Sequence, residues 1–221
     1  MIYKYPNTVL MIFCKAPIPG EVKTRLIGQL TAAQAAELHI ELSTRVLALA
    51  NDSCLCPVEL WCSPMVDHPF FSEAVTNYGV KLQQQQGADL GERMHRAFCC
   101  ALAQFRHAVL IGCDCPSLTQ MDLDAAIIAL QNDNDVVLAP AEDGGYVLIG
   151  LNQPYSALFE NVSWGSADVF EQTLKLINKN ALSYHQTGVQ WDVDTPTDLA
   201  RYRSYQLSQG KGAKISNDRV N

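Results

Sequence analysis

The sequence predicts a three-layer α/β/α sandwich built on a mixed, mostly parallel sheet. Three observations carry this expectation. Strand-like apolar runs alternate with helix-period segments along the chain, and the connections between them are short. The run TVLMIFC (8–14) is apolar throughout, which suits a strand covered on both faces. Finally, Glu142-Asp143-Gly144-Gly145 separates the apolar runs DVVLAPA and YVLIGL. An Asp-Gly in that setting is a hairpin signal, so one strand should run antiparallel to the rest.

Each element has its own justification. After a basic loop, Thr31 and Gln34 have the spacing of a capping box, and Leu38, Leu42, Val46 and Leu49 follow at helical spacing. VELWCS (58–63) reads as a second strand. Pro69 opens a helix and Gly79 closes it, and VKLQQQ (80–85) is a third strand. The clearest helix covers 91–105, where Met94, Ala97, Phe98, Ala101, Leu102 and Phe105 form one apolar stripe. Glu92, Arg93, His95 and Arg96 fall off it. AVLIGCDCP (108–116) is a strand and its turn, followed by a helix from Thr119 with Asp122 at its third position. A helix through Phe170, Leu174 and Ile177, the segment ALSYHQTG (181–188) and a last helix begun by Thr195-Pro196 complete the pattern. One domain is expected over 1–208, and 209–221, which lacks periodicity, is expected to be a disordered tail.

Composition narrows the function. The chain of 221 residues carries a net charge of −7, and its last thirteen residues are net +2, so 1–208 carries −9. A nucleic-acid-binding surface is not expected from that balance. No apolar stretch reaches the roughly 18 residues of a membrane span, and the N-terminus does not read as a signal peptide, so the expected location is cytoplasmic. The eight cysteines occur as two C-x-C pairs, one adjacent pair and two single residues. That spacing fits neither a disulfide framework nor a zinc site, and they are expected to be thiols. The pattern assigns no oligomeric state.

Against the acidic background, FCKAPIPGEVKTRL (13–26) is an exception. Lys15, Lys23 and Arg25 surround Gly20 at the end of the first strand, an arrangement that suits an anion approached by backbone N–H groups and fixed positive charge. It is neither a Walker A loop, since only Gly20-x-x-Lys23-Thr24 is present, nor a G-x-G-x-x-G fingerprint. Asp114 follows an apolar strand at the end where ligands bind in α/β sheets; it suits either a turn or a site for Mg²⁺ or Mn²⁺. Asp192 and Asp194 lie two apart in an extended segment and share a face, whereas Asp198 suits a capping box. In QQGADLGERM, Gly87 and Gly91 would let a flat ring approach the backbone, with Gln86 or Asp89 reading its edges; the same glycines also suit a plain loop. Gly144-Gly145 after Glu142 and Asp143 could shape an acceptor pocket or an ordinary turn.

Taken together and in this order, FCKAPIPGEVKTRL, DLGERM, GCDCPSL, AEDGGYVLIGL and DVDTPTDL resemble the GT-A-like transferases of the radical-SAM/selenodomain-associated transferase 1 group. That group is similar to 2-phospholactate guanylyltransferases and to the nucleotidyltransferases of molybdenum-cofactor assembly. The resemblance covers about 8–205. It implies a nucleotide-diphospho-sugar transferase (GT-A-like) fold, with Lys15, Lys23 and Arg25 on the nucleotide phosphates and Gln86 through Gly91 facing the base. It further implies Asp114 as the main metal ligand, Asp192 or Asp194 as the second, and Asp143, Gly144 and Gly145 beside the acceptor or sugar. The chain departs from the nucleotidyltransferase pattern A-G-G-x-G-x-R, having Ala16-Pro-Ile-Pro-Gly-Glu-Val-Lys-Thr-Arg25 instead. The leading expectation is Mg²⁺- or Mn²⁺-dependent nucleotidyl transfer from a nucleoside triphosphate to a small phosphorylated or hydroxylated acceptor. Glycosyl transfer from a nucleotide-sugar is the rival, with Glu142 or Asp143 as its base. A non-catalytic nucleotide-binding module is the third reading.

Overall fold

A computed structural model describes the backbone of residues 2–217 and the side chains through Ser208. The elements in chain order are β1 (Thr8–Lys15), α1 (Ala32–Ser53), β2 (Val58–Ser63), α2 (Pro69–Tyr78), β3 (Lys81–Gln84), α3 (Leu90–Leu102), β4 (His107–Gly112), α4 (Gln120–Gln131), β5 (Val136–Pro140), β6 (Tyr146–Leu151), α5 (Val169–Lys179), β7 (Tyr184–Gln186) and α6 (Pro196–Asn217). The tail expected from 209 overlaps the end of α6; residues 218–221 lie outside the described residues.

The strands form one seven-stranded sheet in the order β3-β2-β1-β4-β6-β5-β7. β6 pairs antiparallel with both β4 and β5, and the other pairings are parallel. The turn at Asp143-Gly144 therefore reverses the chain as its residue types predict. Two apolar clusters cover the sheet. One joins Leu10, Ile12 and Leu60 to Val46 and Leu47 of α1, Phe71 of α2 and Ile127 of α4. The other joins Val9, Met11 and Leu110 to Met94 and Phe98 of α3 and Ile177 of α5. Side chains of β1 alternate between the two, which is why its run is apolar throughout.

The caps hold as expected. Thr31 with Gln34, and Thr119 with Asp122, form complete capping boxes on α1 and α4. Gly79 ends α2 in the left-handed conformation (φ 63°). α3 is shorter than its apolar stripe: it ends at Leu102, and the Arg106 amide just before β4 donates to the Asn7 carbonyl just before β1 at 2.8 Å. Among the described residues no helix is long and apolar enough to cross a membrane.

This topology sets the site. Parallel β1, β2, β3 and β4 end at one edge of the sheet, with Lys15 opposite Ser63 and Phe13 opposite Gly112. β6 starts at that same edge because it runs the other way. The basic loop, Asp114 and the Asp143 turn are thus delivered to one place from segments far apart in sequence.

Candidate functional site

At the basic loop, Lys23 adopts a left-handed backbone (φ 48°) and its side chain is only 4% exposed. Its Nζ donates to Asp114 Oδ2 at 2.6 Å and to Asp194 Oδ1 at 2.8 Å. Arg25 stays largely exposed, with one guanidinium nitrogen 3.6 Å from Asp194 Oδ2. The Val193 amide donates to the Asp114 carbonyl at 3.2 Å, strapping the 192–194 segment to the end of β4. Asp114, Asp192 and Asp194 consequently offer carboxylate oxygens that all lie within 4.8 Å of one another.

The electrostatics follow from that crowding. Burial pushes the Asp192 carboxyl up, and the nearby charges of Asp114, Asp194 and Asp143 add to it, reaching a pKa of about 7. Burial works against the charged form of Asp114 too, but the Lys23 ammonium outweighs it and holds Asp114 below the usual carboxylate range. For Lys23, burial would favour the neutral amine; Asp114 and Asp194 override it and raise its pKa. Asp192 has no ion-pair partner among the described residues.

Two adjoining cavities meet at this cluster. The larger, about 540 Å³, is walled by the cations Lys15, Lys23, Arg25 and Arg93 as well as by Asp114, Asp194 and Gln85. The smaller, about 290 Å³, holds Asp143, Asp192, Asp194 and Gly145 against largely apolar walls. Phe13, Leu90, Gly112, Gly165 and Asp194 line both.

The structure therefore brings Lys15, Lys23, Arg25, Asp114, Asp143, Gly145, Asp192 and Asp194 together. It places the other expected residues elsewhere. Gly20 makes a turn (φ 87°) but walls neither cavity. Gln86 gives way to Gln85, since Gln85 follows the end of β3 and its side-chain amide is pinned to the Trp61 carbonyl at 2.7 Å. Asp89 is the N-cap of α3, accepting from the Glu92 amide at 2.8 Å. Gly91 is packed: a Cβ there would lie 2.4 Å from Trp164 Nε1. Glu142 points to Arg201, with bonds of 2.7 and 3.1 Å. Gly144 (φ 91°) lies under the α5 approach, where a Cβ would meet the Ala167 carbonyl oxygen at 2.0 Å.

Arg93 is the cation that sequence reasoning left on the outer face of α3. Its Nε donates to the Gly87 carbonyl at 3.1 Å, and among the described residues it makes no ion pair. The available signal was a cation in the first turn of a helix that follows a glycine-bearing loop from a strand end. Sequence spacing also hides a buried trio, Cys14, His39 and Cys113, whose ligand atoms lie within 4.8 Å of one another. His39 Nε2 donates to the Lys15 carbonyl at 2.9 Å, which ties that ring to the start of the basic loop. All eight cysteines are free.

Residues 46–166 match the family described as "Uncharacterized protein conserved in bacteria (DUF2064)". The chain belongs to the DUF2064 family. No protein with a curated description matches it. A crystal structure from Desulfovibrio desulfuricans G20, provisionally assigned as a nucleotide-diphospho-sugar transferase, is similar over 88% of this DUF2064 chain and 85% of its own, at 32% identity and a TM-score of 0.80. The 4-diphosphocytidyl-2C-methyl-D-erythritol synthase of Anaerococcus prevotii DSM 20548 is similar over 91% of this chain and 99% of its own, at 10% identity and a TM-score of 0.62. A Mycobacterium tuberculosis H37Rv protein in complex with manganese is similar over 89% and 97%, at 15% identity and a TM-score of 0.51. The sheet of this DUF2064 chain is thus that of the nucleotide-diphospho-sugar transferase fold.

Proposed function

We propose that this DUF2064 protein is a metal-dependent nucleotidyltransferase that moves a nucleotidyl group from a nucleoside triphosphate to a small acceptor. The observation that carries the reading is the pairing of a cavity walled by four cations with a second cavity, the two joined at three carboxylates. A triphosphate needs spread positive charge, and Lys15, Arg25 and Arg93 supply it; Lys23 is committed to Asp114 and Asp194. The similarity to a provisionally assigned nucleotide-diphospho-sugar transferase at 32% identity supports a transferase of this general kind. The expected kinship with the radical-SAM/selenodomain-associated group belongs to the same proposal.

The carboxylates fit a divalent ion. They are hard oxygen donors within reach of one another, and Lys23 pairs with Asp114 and Asp194 but not with Asp192. Asp114, Asp192 and Asp194 would hold Mg²⁺ or Mn²⁺, which supplies charge neutralisation at the phosphates when bound. The protein's own part is positioning. The cations orient the triphosphate so that the acceptor oxygen meets the α-phosphorus in line. The new O–P bond forms as the bond to the bridging oxygen breaks, pyrophosphate leaves, and the acceptor proton passes to Asp143 on the adjoining wall.

The experiment is product analysis with each nucleoside triphosphate and nucleotide-sugar, with Mn²⁺ and a mixture of small alcohols and phosphate monoesters. Pyrophosphate is the expected product. Release of a nucleoside diphosphate from a nucleotide-sugar would instead establish glycosyl transfer.

A further inference from the structure

The two cavities differ in charge in a way that selects the second ligand. Four cations wall the larger cavity, whereas among the described residues no lysine, arginine or histidine lines the smaller one. Its acidic groups are the carboxylates of Asp143, Asp192 and Asp194 and the phenol of Tyr146, which burial keeps neutral. The carboxylates gather at the seam, because Asp192 and Asp194 reach Asp114 within 4.8 Å and the Asp143 charge is felt at Asp192. Apart from Ser166, the remaining side chains of the wall are hydrocarbon and aromatic, among them Met94, Leu110, Ile149, Val169 and Trp164.

Trp164 is held in place by its surroundings. It lies edge-on to Tyr146, with ring centroids 6.5 Å apart at 88°, and stacks on Phe159. Gly91 leaves the room it occupies. An acceptor phosphate in this cavity would lose water and meet apolar carbon, with no cation among the described lining residues to replace that water and the Asp143 carboxylate as like charge. An alcohol would place its hydroxyl at the carboxylate end and its carbon body on the Trp164 wall.

We infer that the smaller cavity binds a non-anionic alcohol with an apolar or aromatic body, uncharged or bearing an amine, and rejects phosphorylated compounds. Calling this ligand the acceptor rests on the nucleotidyl-transfer reading; the cavity's selectivity does not.

Matched probes separate the two claims. Phenethyl alcohol and tyramine are titrated against phenethyl phosphate by ligand-observed NMR on the full-length protein, and metal-dependent triphosphate binding is measured in parallel. The alcohol and the amine should compete for one site and bind at least tenfold more tightly than the phosphate. Trp164→Ala should abolish that binding while leaving triphosphate affinity within twofold. Ser166→Lys, which adds a cation to the wall, should raise affinity for phenethyl phosphate. Equal or tighter binding of the phosphate by the unaltered protein overturns the inference, as does binding of none of the three. Failure of triphosphate binding alone would strike the transfer reading and leave the cavity's selectivity standing.

Discussion

Lys23 is the residue whose role shifts most once the chain is folded. Its basic neighbours invite a phosphate, but its ammonium lies between Asp114 and Asp194 and is 4% exposed. Removing it leaves two carboxylates facing Asp192 without compensation. Because both partners are partly open to water, Lys23→Ala should cost about 1–3 kcal/mol rather than the larger toll of a fully buried pair. The sign with pH is fixed by Asp114, whose pKa is depressed in the folded state. Its contribution is present at neutral pH and lost as pH falls through the carboxylate range. Urea unfolding of the two proteins should therefore differ at pH 7 and converge toward pH 3, and Mn²⁺ should restore much of the loss. Asp192 predicts a second dependence. Its carboxyl holds a proton up to about pH 7, and a metal must displace that proton. Mn²⁺ affinity should rise with pH, approaching tenfold per unit well below 7, and level off above it. Asp192→Asn should flatten the profile; a flat profile in the unaltered protein would remove Asp192 from the metal site.

At the scale of elements, local signals were legible where they acted locally. Thr31 with Gln34, Thr119 with Asp122, and Pro69 with Gly79 each mark a helix end by chemistry contained within a few residues. The antiparallel β6 was legible for the same reason, because Asp143-Gly144 makes its own turn. What the pattern could not separate was a glycine that serves a ligand from one that serves packing. Gly91 and Gly144 both lie in motifs with a functional look, yet the atoms that exclude a side chain there are Trp164 and the Ala167 backbone. Those neighbours are about 70 and 20 residues away, beyond any local pattern. Gly144→Ala combines a left-handed backbone with a 2.0 Å clash on a carbonyl oxygen, and the Gly144 carbonyl anchors the Phe170 amide at 2.9 Å. It should lower stability by about 2 kcal/mol or more and disturb the Asp143 wall, as measured by thermal unfolding. Unchanged stability would show that the loop relaxes freely.

At the scale of the whole molecule, the sheet order explains why the site was legible as a set of residues but not as an arrangement. The alternation of strands and helices implied a parallel sheet with its ligands at the carboxyl ends, which brings Lys15 and Asp114 to one edge; the family resemblance added Asp192 or Asp194. Which strand ends are neighbours depends on the order β3-β2-β1-β4-β6-β5-β7, a property of long-range packing. Only that order sets Arg93 and Gln85 beside the basic loop and divides the space into a cationic and an acidic cavity. The division is the central claim, since it gives each substrate a place. The most direct test is calorimetric titration of the protein with the four nucleoside triphosphates, their diphosphates and a set of nucleotide-sugars, each with and without Mn²⁺. Tight binding of one triphosphate, dependent on Mn²⁺ and weakened at least tenfold by Arg93→Ala, is the predicted result. Binding confined to nucleotide-sugars, or triphosphate binding indifferent to both Mn²⁺ and Arg93, would contradict it.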